Sequence, residues 1–236
     1  MKTVGIIGFG SFGSFLTRKL GSHVALRVFD SNQQIPAELS ASFAEVCESD
    51  YVVLAIPVSA YEEVLSRIVG LLGKNSIVVD VSSVKTIPNK KIEELLPGKK
   101  KVIMHPLFGP QSAEESLDGH VVVMCPGVSD EEGYGEVKEF VQGLGLKVVE
   151  KSPEEHDKEM ALAQGLTFYL ARALLRSGVH DIELLTPSFK KLLDLAELES
   201  HHSEDLFRTI QQGNPYTAEV RQKFIDIADD LNRELT

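Results

Sequence analysis

A chain of 236 residues that is 43% hydrophobic can bury one large core or two modest ones, which sets it apart from disordered proteins. Its 35 acidic and 24 basic residues give a formal charge of −11, and its basic runs, Lys90-Lys91 and Lys99-Lys100-Lys101, read as solvated surface; both points argue against a nucleic-acid binder. No segment has the ~18 unbroken apolar residues of a membrane span, and Cys47 and Cys125 stand far apart without metal-ligand or disulfide spacing, so a cytoplasmic protein with two buried thiols is expected.

The N-terminus has a lysine followed by apolar residues, but Gly5, Gly8, Gly10 and Gly13 interrupt it and no cleavage site follows, unlike a signal peptide. Residues 3–7, 24–29, 51–56, 76–81, 101–104 and 120–124 read as strands that are apolar almost throughout, as strands covered on both faces are. Amphipathic helical patterns at 12–20, 60–72 and 87–95 lie between them. The alternation predicts a doubly wound α/β sheet. Ser129 and Glu132 form a capping-box signature for a helix over 130–144, and 147–150 is a candidate last strand.

From Ser152 onward no strand is predicted. Ser152-Pro153-Glu154-Glu155 combines a capping box with proline at the first helical position and predicts one long helix to about residue 177. Thr186-Pro187 opens another to about 200, and Asn214-Pro215 separates helical patterns at 204–211 and 217–235. The expected domains are 1–150 and a smaller all-α domain, 151–236, which is small enough that its core is expected to be buried against a second copy.

Gly8-Phe9-Gly10-Ser11-Phe12-Gly13 follows a strand and opens a helix, the context in which a GxGxxG pattern signals a dinucleotide site. Gly8 permits the tight turn, Gly10 a close approach of the backbone to a pyrophosphate, and Gly13 the packing of helix on strand. Asp30 ends the second strand, where a carboxylate accepts from both ribose hydroxyls and repels a 2′-phosphate. The expected cofactor is NAD. The plainer alternative is an ordinary strand-to-helix turn.

Ligands of open α/β sheets lie beyond the carboxyl ends of the strands. Ile56-Pro57, Ser82-Ser83 and His105 all fall there. His105 suits accepting a proton from an alcohol while hydride leaves its carbon, with Ser83 as a hydrogen-bonding partner. By position alone, a half-buried structural histidine beside rigid turns is the more economical reading.

The glycine loop, Asp80-Val81-Ser82-Ser83-Val84-Lys85, His105-Pro106-Leu107-Phe108-Gly109-Pro110, His156-Asp157 and Gln164-Gly165-Leu166-Thr167 together resemble the prephenate and arogenate dehydrogenases of tyrosine biosynthesis, in order and approximate spacing. The resemblance is good over residues 1 to about 175 and looser in the tail, at Ile210-Gln211 and Asn214-Pro215. It implies a Rossmann-type domain followed by a helical dimerisation domain, with the active site between them. It also implies NAD-dependent oxidative decarboxylation of a cyclohexadienol without a metal, His105 acting as acid/base and Ser83 as its partner. Gly8, Gly10, Ser11, Phe12, Gly13, Asp30, Ile56, Pro57 and Ser82 are then the cofactor residues, and Gln164, Thr167 and Lys190 the substrate residues.

Two positions depart from the family pattern. Phe168 stands where members commonly have histidine, and Ser188-Phe189-Lys190-Lys191 where many carry a carboxylate-gripping arginine. Lysine lacks the planar grip of a guanidinium, which leaves Lys190, Lys191, Arg172 and Arg176 as candidates. His201-His202 reads as an exposed helix end rather than a metal site. Two rival functions follow: a β-hydroxyacid-type dehydrogenase, which requires a lysine that residues 159–175 lack, and an NAD-binding sensory dimer without substrate grip. The sequence does not separate prephenate from arogenate, and it points to no route for tyrosine feedback other than competition at the active site.

Overall fold

The computed structural model describes residues 2–178 and 182–236. The chain divides into two compact units, Met1–Glu154 and Glu155–Thr236, so the division falls just past the Ser152-Pro153 helix start rather than before it.

The first unit runs β1 (Thr3–Ile7), α1 (Ser11–Leu20), β2 (Ala25–Phe29), α2 (Phe43–Cys47), β3 (Tyr51–Leu54), α3 (Tyr61–Ile68), β4 (Ile77–Asp80), α4 (Thr86–Leu95), β5 (Lys101–Pro106), α5 (Pro110–Ala113), β6 (Val121–Met124), α6 (Glu131–Gly143) and β7 (Lys147–Glu150). The sheet order is β2-β1-β3-β4-β5-β6-β7. Strands β1 to β5 pair in parallel, as a doubly wound sheet requires, but β6 runs antiparallel to β5, and β7 parallel to β6. The reversal has a local cause. The β5–β6 connection holds only the single-turn α5, too little helix for the crossover that parallel pairing needs.

Alternation along each strand sends side chains to two separate cores. Val52, Leu54, Val78 and Ile103 pack beneath α2, α3 and α4, while Val53, Val79, Val102 and Met104 face α1 and α6. Burial on both sides explains the unbroken apolar runs. Among the described residues α1 and α6 are the helices that cover the second face, and a cavity of about 490 Å³ lies between them and the sheet, lined by Phe15, Val53, Val79, Val81, Phe140 and Val141 among others.

The cap of α6 differs from expectation. Asp130, not Ser129, accepts the Gly133 N–H at 2.9 Å. Ser129 instead donates to the Cys125 carbonyl at 2.7 Å and accepts from Ile103 N–H at 3.0 Å, tying the helix entry to β5. Both cysteines are buried, and burial raises the Cys47 thiol to about 11.

The second unit holds α7 (Pro153–Met160), α8 (Thr167–Arg176), α9 (Pro187–Ser200), α10 (Glu204–Gly213) and α11 (Thr217–Glu234). The single long helix expected from Ser152 is interrupted: Ala161–Leu166 forms a π-helical turn between α7 and α8. Such turns leave carbonyls without regular partners, and here the Gln211 side chain donates to the Gly165 carbonyl at 2.7 Å. Nearby, Asn214 donates to the Asp157 carbonyl, also at 2.7 Å. Gly165 is needed because a Cβ there would stand 2.8 Å from the Thr217 side chain. Thr186 caps α9 through Phe189 N–H at 3.2 Å, with Pro187 following as expected. Among the described residues no helix is long and apolar enough to cross a membrane.

Candidate functional site

The glycine loop leaves β1 through Gly8, whose φ of +105° lies in the region that disfavours side chains. A Cβ there would also meet the Ala55 carbonyl oxygen at 2.3 Å, and one on Gly13 would stand 2.1 Å from the Gly8 carbonyl oxygen. These two glycines are demanded by the protein's own packing. Gly10 is different. No atom beyond its chain neighbours lies within 4 Å of where its Cβ would stand.

Gly10 is the N-cap of α1, with no side-chain cap and no acidic residue in the first turn. Orphan N–H groups and the positive helix end therefore border open space, as an anion site requires. Gly10 and Ser11 are exposed, and Phe12 is half-buried against the core that α1 covers. A methyl group of Ile56 packs beside Gly8, with Pro57 exposed next to it. The loop fits a pyrophosphate.

Asp30 follows β2 and does more than wait for a ribose. One carboxylate oxygen accepts from Phe9 N–H at 2.7 Å, and the other from Asn32 and Gln33 N–H at 2.7 and 2.9 Å. Partial burial alone would raise its carboxyl, but the three backbone donors outweigh this and hold it below the usual aspartate range. A carboxylate offers about four acceptor positions, so the expectation that Asp30 accepts from both ribose hydroxyls is reduced to roughly one. We expect Asp30→Asn to weaken NAD binding about tenfold, the scale of one charged hydrogen bond, and to narrow its preference over NADP. Fluorescence titration checks this, and an unchanged preference would remove Asp30 from cofactor recognition.

His105 lies in β5, buried at 4% exposure rather than half-buried. The β4–β5 register pairs Asp80 with Ile103. Two residues past this pair come Ser82, just beyond the end of β4, and His105, still within β5, with half-buried Ser83 next. The fold thus brings the two serines and the histidine to adjacent carboxyl ends, on the edge of the sheet where the glycine loop leaves β1.

Beneath them is a buried polar cluster. Lys85 donates to the Asp80 carboxylate, to the Met104 carbonyl at 2.7 Å and to Ser82 Oγ at 3.3 Å. Tyr61 donates to the other Asp80 oxygen at 2.6 Å, which also accepts Ser82 N–H at 3.0 Å. Tyr61, Asp80 and Lys85 are each 0% exposed. Burial, then the neighbouring Asp80 charge, keeps the Tyr61 hydroxyl protonated. Sequence reasoning noted Asp80 and Lys85 only as parts of a motif and missed Tyr61. A charged residue at the end of an apolar strand and another five positions on was the available signal.

In the second unit, Gln164 and Thr167 are half-buried, in the π-helical turn and just after it. Thr167 Oγ1 bonds the Ala163 carbonyl at 2.9 Å. Lys190 is exposed and pairs with Asp194 at 2.9 Å, which raises its ammonium above the usual lysine value. Arg172 pairs with Glu204 at 2.7 Å over the Phe207 ring, while Arg176 and Lys191 are exposed. Phe168 is buried and stacks on His202, ring centroids 5.0 Å apart. His202 is also held by Glu199 at 2.9 Å, so of the two adjacent histidines only His201 is an exposed helix end.

A family model described as "Prephenate dehydrogenase, nucleotide-binding domain" matches residues 26–150. The chain belongs to the prephenate dehydrogenase family. That match includes Asp30, Ser82, Ser83 and His105 but begins after the glycine loop, whose assignment rests on its own geometry. Among relatives of this prephenate dehydrogenase family member, Arogenate dehydrogenase 2, chloroplastic, of Arabidopsis thaliana is 29% identical over 248 residues, covering 98% of this chain and 69% of that protein. The probable arogenate/prephenate dehydrogenase of Methanocaldococcus jannaschii is 26% identical over 245 residues, 97% of this chain but 54% of its own length. In fold, the chain superposes on prephenate dehydrogenase from A. aeolicus in complex with hydroxyphenyl propionate and NAD+, with a TM-score of 0.76 at 22% identity, covering 100% of this chain and 91% of that one.

Proposed function

We propose that this protein catalyses the NAD-dependent oxidative decarboxylation of prephenate or arogenate, giving 4-hydroxyphenylpyruvate or tyrosine. The observation that carries the reading is the buried His105 beside the Ser82-Ser83 turn, on the sheet edge that also holds the glycine loop. Bound NAD supplies the hydride acceptor at its nicotinamide. Gly8, Gly10, Ser11, Phe12 and Gly13 hold its pyrophosphate, Asp30 its adenosine ribose, and Ile56, Pro57 and Ser82 border it.

His105 takes the proton of the ring hydroxyl as hydride leaves the same carbon. The ring carboxylate then departs as carbon dioxide, and the electron pair of the broken bond flows to the new carbonyl oxygen, which recovers the proton as the ring becomes aromatic. Ser83 orients the hydroxyl against His105. No step needs a Lewis acid, because aromatisation provides the sink. Gln164, Thr167 and Lys190 are the proposed substrate contacts, and Lys190 would exchange its Asp194 partner for the substrate carboxylate.

The protein is proposed to act as a cytoplasmic homodimer. Leu184, Leu192, Ile227 and Leu231 stand exposed on the helical unit, Leu184 at 90%, apolar side chains that a second copy would cover. Following NAD reduction spectrophotometrically with prephenate and with arogenate tests the function and chooses the substrate. Absence of turnover with both would favour the sensory-dimer reading, for which the buried Phe168 and the Asp194-paired Lys190 speak.

A further inference from the structure

Lys85 sits where local energetics do not want it. It is the N-cap residue of α4, at the positive end of a helix dipole, and it is 0% exposed. Its pairing with Asp80 offsets the cost of burial, but a buried ion pair seldom stabilises a fold more than apolar residues of the same volume. Helix formation and core packing therefore leave this lysine unexplained.

Its contacts supply an explanation. The ammonium reaches three segments at once: the end of β4 through Asp80, the turn after it through Ser82 Oγ, and β5 through the Met104 carbonyl. Met104 immediately precedes His105. Ser82, in turn, donates its hydroxyl to the Val84 carbonyl at 2.8 Å, closing the turn that contains Ser83. Tyr61, from α3, fixes the Asp80 oxygen that Lys85 leaves.

We infer that Lys85, set by Asp80 and Tyr61, is a positioning residue that holds the Ser82-Ser83 turn and the His105 backbone in a fixed relation across adjacent strand ends. The proposal rests on the assignment of His105 and Ser83 to the chemistry. Lys85 itself touches no reacting atom in this scheme.

The decisive variant is Asp80→Asn/Lys85→Met, because removing both charges avoids stranding one in the core. It is expected to keep a melting temperature near that of the wild type and an NAD affinity within about twofold, with KM little changed, while kcat falls about tenfold or more, the scale of misplaced catalytic groups. Tyr61→Phe strands no charge and provides a milder variant with a smaller loss of kcat.

A readout independent of turnover is the NMR signal of the His105 ring, assigned by its loss in His105→Ala. In the double variant it should shift and broaden relative to the wild type. Unchanged ring signals, or a kcat within twofold of wild type in the folded double variant, would overturn the positioning role. If the wild type reduces no NAD with either substrate, the proposed function fails instead, and the ring signals alone decide whether Lys85 positions His105.

Discussion

His105→Ala is expected to lower kcat by about two to four orders of magnitude, the usual contribution of a positioned acid/base group, while NAD affinity stays within about twofold. The separation follows from the fold. His105 is carried by β5, whereas the glycine loop and Asp30 follow β1 and β2, on the far side of β3 and β4 in the sheet order. Truncation leaves a small space among buried neighbours, so the protein should stay folded with a loss of stability of about 1–3 kcal/mol. In the proposed scheme, removing the imidazole leaves the ring hydroxyl without an acceptor for its proton as hydride leaves. Steady-state rates with the preferred substrate, alongside fluorescence titration of NAD, check both halves of the expectation. Unchanged turnover would remove His105 from the mechanism. A parallel loss of NAD binding would instead assign it to the integrity of the sheet edge.

Much of this architecture is legible in the residues. Strands buried on two faces have to be apolar throughout, and helices that cover one face have to be amphipathic, so β1 to β5 and α1, α3 and α4 stand out in the sequence. The reversal at β6 does not, because β6 is as apolar as the parallel strands β1 to β5 and only the connection before it differs. The π-helical turn was hidden for a related reason. Ala161–Leu166 contains nothing that breaks a helix outright, and its cause lies in side chains far along the chain, Thr217 against Gly165 and Gln211 on the Gly165 carbonyl. The reading of Ser129 as the cap of α6 failed because the Ile103 and Cys125 backbone groups, invisible in a linear reading, claimed the serine.

The candidate site divides the same way. Gly8, Gly13, Asp30 and His105 occupy positions set by strand ends, which periodicity reveals. The Tyr61–Asp80–Lys85 cluster depends on which buried side chains converge beneath those ends. In a linear reading Lys85 is one more charged residue opening a helix, where charge normally means exposure.

The glycine loop offers the sharpest contrast between folding and binding, since two of its glycines are required by different partners. Gly13→Ala places a methyl group 2.1 Å from a backbone oxygen, a contact relieved only by moving the loop or α1. A loss of about 2–4 kcal/mol or failure to fold is expected, in the range reserved for backbone conflicts in a packed site. Gly10→Ala meets nothing within 4 Å and keeps an ordinary φ of −70°. Alanine is a poorer N-cap than glycine but restricts the unfolded chain, and the two effects offset each other to within about 1 kcal/mol. Stability by thermal melting should therefore be nearly unchanged. NAD affinity should nevertheless fall by about 100-fold or more, because the new methyl group occupies the space through which a pyrophosphate approaches the backbone. The two measurements together isolate the ligand as the reason for a glycine that the fold itself does not need. A Gly10→Ala protein that binds NAD as tightly as the wild type would place the pyrophosphate elsewhere and reduce the loop to a strand-to-helix turn.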